Sequence, residues 1–252
     1  MSRLPDPAVG SSDDFAATEP TSPFGNAKRC FLQATGLLVL FSLLRGFGLV
    51  GPPLLSVSIL TAVLVLIAWR AGATAKDLGL GAADLRAGTR YGAVAFGLVL
   101  LALAVAAVLP ATRVFLHDSR AEIDGGQLAY ELGVSIILLT AIPEEFAFRG
   151  VLLGSALQLW GARRASLVSS AIFGLWHIEP TLHTMSGNVA VGGTSSSTAE
   201  QVLVVGGAVL VTFTAGLAFC WLRLRSESLL APVLAHLATN GLGLVVAWVV
   251  VH

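Results

Sequence analysis

Apolar runs of about twenty residues alternate with short polar segments along most of this chain. At a rise of about 1.5 Å per residue, a helix of that length crosses the apolar part of a bilayer. The pattern therefore predicts an all-α fold, a polytopic transmembrane bundle with about seven crossings. The predicted spans are residues 30–50, 54–69, 91–109, 128–160, 165–178, 202–222 and 229–251.

The ends of the chain and its proline positions refine this picture. Residues 1–29 are rich in Pro, Ser, Asp and Thr and lack an apolar period, so they are predicted to form a disordered tail. Residues 30–252 are then one membrane domain. The segment 128–160 is too long for one straight crossing, and Pro143 is expected to kink it or to mark a helix start.

Composition supports a membrane protein and excludes several other classes. Hydrophobic residues make up 55% of the chain and charged residues 12%, whereas soluble proteins contain about 25% charged residues. The net charge is zero and the basic residues are scattered, so no nucleic-acid partner is expected. The two cysteines, Cys30 and Cys220, have neither metal-type spacing nor the number needed for a disulfide framework.

The distribution of Lys and Arg predicts an orientation. Loops 70–90, 161–164 and 223–225 are basic, whereas segment 181–200 contains neither Lys nor Arg. Because positive loops stay in the cytoplasm, the N-terminus is predicted to be cytoplasmic and segment 179–200 external. The abundance of Ala, Gly, Val and Leu, with Arg in excess of Lys, suggests a bacterial source and hence the plasma membrane.

Two carboxylates and a guanidinium interrupt the most apolar part of the chain, at Glu144, Glu145 and Arg149. Each such group costs about 2.5–3.5 kcal/mol at mid-bilayer, so it is retained chiefly where it serves a function. Glu145 and Arg149 are one helical turn apart and are expected to pair and support the helix. Glu144 lies about 100° around the helix and is left free to act.

Two further polar clusters lie inside apolar segments. Phe173 and His177 form one, and His236 and Asn240, which are one turn apart and expected to share a face, form the other. With Glu144 they could supply a general base, an imidazole that orients water, and donors to an oxyanion. Alternatively, Glu144, His177 and His236 could be three ligands of a zinc ion with an open fourth position. Sequence spacing leaves both possibilities open.

Other conspicuous residues are given structural interpretations. Arg45, near the end of the first span, is expected to extend its charge to the membrane interface. Trp160, Trp176 and Trp248 are interpreted as interfacial anchors or core residues. Glu179 and His183 are loop residues to which no role is assigned.

The ordered motifs E-E-x-x-x-R, F-x-x-x-H and H-x-x-x-N resemble those of the CPBP family. This family comprises CaaX prenyl proteases and bacteriocin-processing or immunity proteins, and is also called the Abi family of intramembrane metalloproteases. The resemblance implies about eight helices around a polar intramembrane cavity, and peptide-bond hydrolysis there. It assigns Glu144 and His177 to water activation, His236 and Asn240 to the oxyanion, and Glu145, Arg149 and Phe173 to support. The expected cofactor is none or one divalent, zinc-type ion.

Three functions are therefore considered. The first is an intramembrane endopeptidase whose partners are the lipid bilayer and a peptide or membrane-protein substrate. The second is a non-catalytic membrane protein, such as a bacteriocin-immunity or regulatory factor, that uses the same cavity for binding. The third is a secondary transporter, whose broken helices would also carry buried carboxylates. No internal repeat is visible, which argues against transport, and retention of every motif residue favours catalysis.

Overall fold

The computed structural model describes residues 25–184 and 198–252, and helices make up most of this part of the chain. The predicted all-α bundle is confirmed. Its main helices are α1 (Ala27–Gly46), α2 (Pro53–Arg70), α3 (Leu85–Val108), α4 (residues 125–160), α5 (residues 162–176), α6 (Ile178–Thr184), α7 (Thr198–Ser226) and α8 (Leu230–Val251). Short helical turns at Ala82–Asp84, Pro110–Arg113, Val114–Leu116 and Ser119–Ala121 occupy the connections on either side of α3.

Two predicted segments extend beyond the described residues. The predicted tail falls outside them as far as residue 24, and α1 begins at Ala27, before the predicted boundary at residue 30. The predicted external loop 179–200 includes residues 185–197, which also lie outside. The described start of this segment, residues 179–184, is helical and belongs to α6, which follows α5 after the single residue His177. Glu179 and His183 are therefore helix residues and not loop residues.

Within the described residues, five helices are long and apolar enough to cross a membrane. They are α1, α2, α3 with its preceding turn, α7 and α8. Many of their large apolar side chains are exposed, including Leu32, Leu98 and Leu203. Such surfaces are expected where lipid and not water surrounds the protein. The other two predicted crossings correspond to α4 and α5.

Helix α4 starts at a well-formed cap and passes through Pro143 without ending. The Asp124 carboxylate accepts hydrogen bonds from the backbone N–H groups of Gly126 and Gln127. Wide turns of the π type at Glu131–Ala141 and Phe146–Leu152 flank the α-helical turn Ile142–Glu145. Helical dihedral angles continue through Ala141 and Ile142, so the predicted helix start at Pro143 is wrong. Local π-type bonding accommodates a residue that lacks an N–H donor.

The break between α4 and α5 lies at Gly161, within the predicted loop 161–164. Gly161 has φ 72° and ψ 171°, a combination that is almost restricted to glycine. Helix α5 then packs closely against α7. A Cβ on Gly174 would lie 2.9 Å from the Val209 carbonyl oxygen, and one on Gly216 would lie 3.0 Å from Ser170 Cβ. Small residues thus allow the two helix backbones to approach each other.

The centre of the bundle is the middle of α4. Residues 145–156 are all buried, and this segment contacts α1, α2, α7 and α8 in addition to the adjoining α5. Aromatic rings from three helices meet here, with Phe148 and Phe173 edge to face at 5.0 Å. The two carboxylates of the first motif therefore enter the most enclosed part of the molecule.

Candidate active site

Glu145 and Arg149 form the predicted ion pair, and both side chains are completely buried. Arg149 Nη1 donates to Glu145 Oε1 at 3.0 Å. The guanidinium also lies over the Phe173 ring, 4.1 Å from its centroid, and 5.0 Å from that of Phe219. A buried charge is tolerated when it is paired and packed in this way. Phe173 thus contacts the Arg149 side of the ion pair directly.

His236 joins this pair from α8. Its Nδ1 donates to Glu145 Oε1 at 2.7 Å, and its ring stacks on Phe219 with centroids 5.4 Å apart. Because a carboxylate only accepts, Nδ1 carries the hydrogen, and in neutral His236 the other nitrogen, Nε2, is an acceptor. Nε2 lies 4.0 Å from Glu144 Oε2. A neutral His236 therefore has no ring N–H left for the oxyanion role expected from the sequence.

Glu144 points away from the ion pair, as its position around the helix predicts. Its Oε1 accepts a hydrogen bond from the indole Nε1 of Trp176 at 2.9 Å. Its Oε2 is buried and has no hydrogen-bond partner among the described residues. The Glu144 side chain also lines a cavity of about 70 Å³, together with Arg45, Thr140 and Trp176. A water needs only about 10–15 Å³ measured in this way, so the cavity can hold one.

His177 lies directly after the last residue of α5. Its Nδ1 donates to the Phe173 carbonyl oxygen at 2.8 Å, and the two rings meet edge to face at 4.6 Å. The neutral imidazole therefore presents Nε2 as an acceptor. No hydrogen bond joins His177 to Glu144 or His236 among the contacts recorded for the described residues. His177 therefore contacts the site by way of Phe173, whose ring also packs on Arg149, and it has no direct hydrogen bond with the Glu144 carboxylate in the part of the chain that the structure describes.

Asn240 and His236 lie in different surroundings, contrary to the shared face expected from their spacing. Helix α8 widens into a π-type turn at Ala238–Leu242, which changes the register after His236. His236 is buried, whereas Asn240 is exposed and has Thr239 as a polar neighbour at 3.5 Å. The physical reason is that residues four apart superpose only on an α-helix of regular pitch.

Asn240 lines a second, larger cavity of about 920 Å³ between α8, the start of α4 and the connection before it. Glu131 and Gln127 line the same cavity, together with Arg120, which is paired with Asp118. Hydrogen bonding to Asp118 raises the pKa of Arg120 above its usual value, so this side chain stays charged. Binding cavities usually measure about 300–1,000 Å³, and this one is large enough for a short peptide segment.

The alternative metal site is not supported by the positions of its proposed ligands. Across residues 25–184 and 198–252, no group of three His, Cys, Asp or Glu side chains is arranged to hold a metal ion. Glu144, His177 and His236 therefore do not converge as a ligand set. The two cysteines, Cys30 and Cys220, are free and buried.

Sequence reasoning did not predict that Trp176 donates a hydrogen bond to Glu144, or that Phe41 and Arg45 pack on the Trp176 indole. The Trp176 indole stacks on Phe41 with centroids 5.9 Å apart, and the Arg45 guanidinium lies 5.0 Å from the indole centroid. Arg45 also forms an ion pair with Glu179 of α6. Arg45 is therefore not simply an interfacial charge, and Trp176 is not simply an anchor. The available signal was a single arginine inside the apolar run of α1.

One comparison with known proteins identifies a related family. Residues 127–242 match the family model described as Type II CAAX prenyl endopeptidase Rce1-like. The match includes all seven residues of the three motifs. No curated protein and no solved structure gives a significant match to the chain.

Proposed function

Because residues 127–242 belong to the CPBP family as an Rce1-like domain, we propose that the chain is an intramembrane endopeptidase. The family is a peptidase family, and the five long apolar helices make this an integral membrane protein. The proposed reaction is hydrolysis of a peptide bond in a membrane-associated protein or peptide.

One observation carries the proposal. Glu144 Oε2 and His236 Nε2 lie 4.0 Å apart, inside an apolar bundle, and Oε2 has no hydrogen-bond partner among the described residues. Two acceptors at this separation can each take one hydrogen bond from the same water molecule. That water would keep an oxygen lone pair free for attack, and the surrounding low dielectric would strengthen every polar interaction in the site.

In the proposed hydrolysis, Glu144 carries a proton from the water to the leaving amine. Glu144 takes a proton from the water, and the resulting hydroxide attacks the scissile carbonyl carbon to form a tetrahedral intermediate. When the intermediate collapses, the C–N bond breaks and Glu144 returns the proton to the leaving amine. Glu145, held by Arg149, keeps His236 in the tautomer whose Nε2 can accept from the water. The products are a carboxylic acid and an amine, and the acid then passes its remaining proton to solvent or to the amine.

The large cavity is the proposed place for the substrate chain. Its volume of about 920 Å³ suits a short extended peptide, and Asn240 contributes an exposed amide to it. We assign Asn240 to donation toward the substrate carbonyl. His177, whose Nε2 is unengaged in the contacts described above, is proposed as a further acceptor near the water. The distribution of basic loops supports a cytoplasmic N-terminus, and the excess of Arg over Lys together with the abundance of Ala, Gly, Val and Leu supports a bacterial plasma membrane.

The test uses the full-length protein purified in detergent. Its probe is a quenched fluorescent peptide with a C-terminal Cys-aliphatic-aliphatic-X sequence, prepared with and without a farnesyl group. Glu144→Gln keeps the side-chain shape but removes the base, so cleavage should fall by about 10²–10⁴ while the melting temperature holds. In the same assay Asn240→Ala should lower kcat by about 10²–10³ with little change in KM.

The matched control is Glu227→Gln, which removes an exposed carboxylate in the turn between α7 and α8. Its cleavage rate should equal that of the wild type. Full activity in Glu144→Gln would show that the carboxylate is not the base. Cleavage of the farnesylated peptide alone would identify a prenylated substrate, and cleavage of both would identify the peptide chain as sufficient.

A further inference from the structure

The hydrogen bond from Trp176 to Glu144 links the reactive carboxylate to the opposite side of the bundle. Trp176 is the last residue of α5 and is 7% exposed, and its Nε1 donates to Oε1 at 2.9 Å. A donor on one carboxylate oxygen restricts rotation of the group about its last bond. The other oxygen, Oε2, is thereby directed toward His236.

The indole is itself held from α1. Phe41 stacks nearly parallel to it, with an interplanar angle of 16°, and the Arg45 guanidinium lies over the same ring system at 5.0 Å. Phe41 and Arg45 are four residues apart and so occupy one face of α1. On the other side, Phe148 of α4 meets the indole edge to face at 5.8 Å. The ring is therefore enclosed by α1 and α4.

Arg45 is fixed in turn by Glu179. The two side chains form an ion pair in which the Glu179 carboxylate is 16% and the Arg45 side chain 31% exposed. Glu179 also lies 3.1 Å from His183 Nδ1, one turn along α6. Arg45 thus has a partner on either side, one aromatic and one anionic.

From these contacts we propose that Trp176 is a positioning residue for Glu144, and that Arg45, anchored by Glu179, acts through Trp176. This inference rests on the proposed function, because it assumes that Glu144 is the general base. Neither residue touches the reacting atoms. Their effect is to hold Oε2 in the direction from which it can take a proton, and misplacement of a reacting group by about 1 Å can cost about 10² in rate.

Trp176→Phe is the first test, because it keeps an aromatic ring for Phe41 and Arg45 but removes the N–H donor. The expected result is a kcat lower by about 10- to 100-fold with KM nearly unchanged. The matched control is Trp160→Phe, the same substitution at the last residue of α4, where the indole meets the Phe31 ring edge to face and lies far along the chain from Glu144. That variant should retain the wild-type kcat.

Two experiments test Arg45. One compares variants that keep or remove its positive charge, and the other combines a variant of Arg45 with Trp176→Phe. Arg45→Lys keeps a cation for Glu179 and the indole, so it should retain most activity, whereas Arg45→Gln should lower kcat. If Arg45 acts through Trp176, the double variant Arg45→Gln/Trp176→Phe should be no slower than Trp176→Phe alone. If the fold-losses in kcat of the two single variants multiply in the double variant, Arg45 acts independently of Trp176.

The outcomes separate this inference from the function on which it rests. An inactive Glu144→Gln protein together with a fully active Trp176→Phe protein would overturn the positioning role and leave the peptidase intact. An active Glu144→Gln protein would overturn the peptidase mechanism itself. A drop in kcat for Trp176→Phe that only follows a drop in melting temperature, measured on the same samples, would assign the indole to packing and also overturn the inference.

Discussion

Glu144 and Glu145 are adjacent and chemically identical, yet their neighbours give them different tasks. Glu145 is completely buried, and one of its oxygens serves both Arg149 and His236. Glu144 accepts one hydrogen bond, and its other oxygen has no partner in the part of the chain that the structure describes. A carboxylate that is already shared by two donors is suited to hold other groups in place. A carboxylate with a free oxygen is suited to accept a proton.

Replacing Glu145 should therefore affect stability before chemistry. Glu145→Gln leaves the Arg149 charge buried without its anion, and removal of one partner from a buried pair typically costs about 3–5 kcal/mol. The melting temperature in detergent should fall markedly, while Glu227→Gln should leave it unchanged. A Glu145→Gln protein as stable as the wild type would show that the pair contributes nothing to the fold.

Sequence spacing could predict some of these contacts and not others. The Glu145–Arg149 pair follows from an i, i+4 relation on one helix. The Trp176–Glu144 hydrogen bond joins residues 32 positions apart, and the Arg45–Glu179 ion pair joins the end of α1 to the start of α6. Such contacts depend on how the helices pack, which no local pattern specifies.

At the scale of elements, wide turns and glycines determine which side chains can meet. The π-type turns at Glu131–Ala141 and Ala238–Leu242 shift the register of α4 and α8. Sequence reasoning assumed regular α-helices, and for that reason it placed Asn240 on the face of His236. The alignment of α5 with α7 depends on Gly174, where no side chain separates the two backbones.

Gly174→Ala tests this alignment. Its Cβ would approach the Val209 carbonyl oxygen to 2.9 Å, and backbone cannot yield as a flexible side chain does. We expect α5 to move away from α7, with a lower melting temperature and slower cleavage, because Trp176 ends α5 and His177 follows it directly. Gly206→Ala on α7 is the matched control, since nothing lies within 4 Å of its Cβ. Equal behaviour of the two variants would contradict close packing at Gly174.

At the scale of the whole molecule, the alternation of apolar and polar segments was enough to predict an all-α membrane bundle. The boundaries of α2, α7 and α8 lie within a few residues of the predicted spans. The turn between α4 and α5 falls at Gly161, within the predicted loop 161–164, whereas the helix start considered at Pro143 is absent because α4 continues through it. Orientation across the membrane is still a prediction.

Thiol labelling of intact cells tests the orientation. With a membrane-impermeant maleimide, a cysteine at the exposed Thr184 should react from outside, and one at the exposed Ala162 should react only after the cells are opened. The native Cys30 and Cys220 are 0% exposed and should give little background. The reverse pattern would invert the topology and place Arg163 and Arg164 outside.

The Glu145–Arg149 pair also has a consequence for how the protein is made. The pair lies within α4, whereas His236, the third member of the cluster, is 91 residues later in the chain than Glu145. When α4 leaves the ribosome and enters the bilayer, α8 has not yet been synthesised. Each charge then depends on the other alone to lower its insertion cost of about 2.5–3.5 kcal/mol. Because both partners lie one turn apart, α4 can enter the membrane before its final neighbours exist.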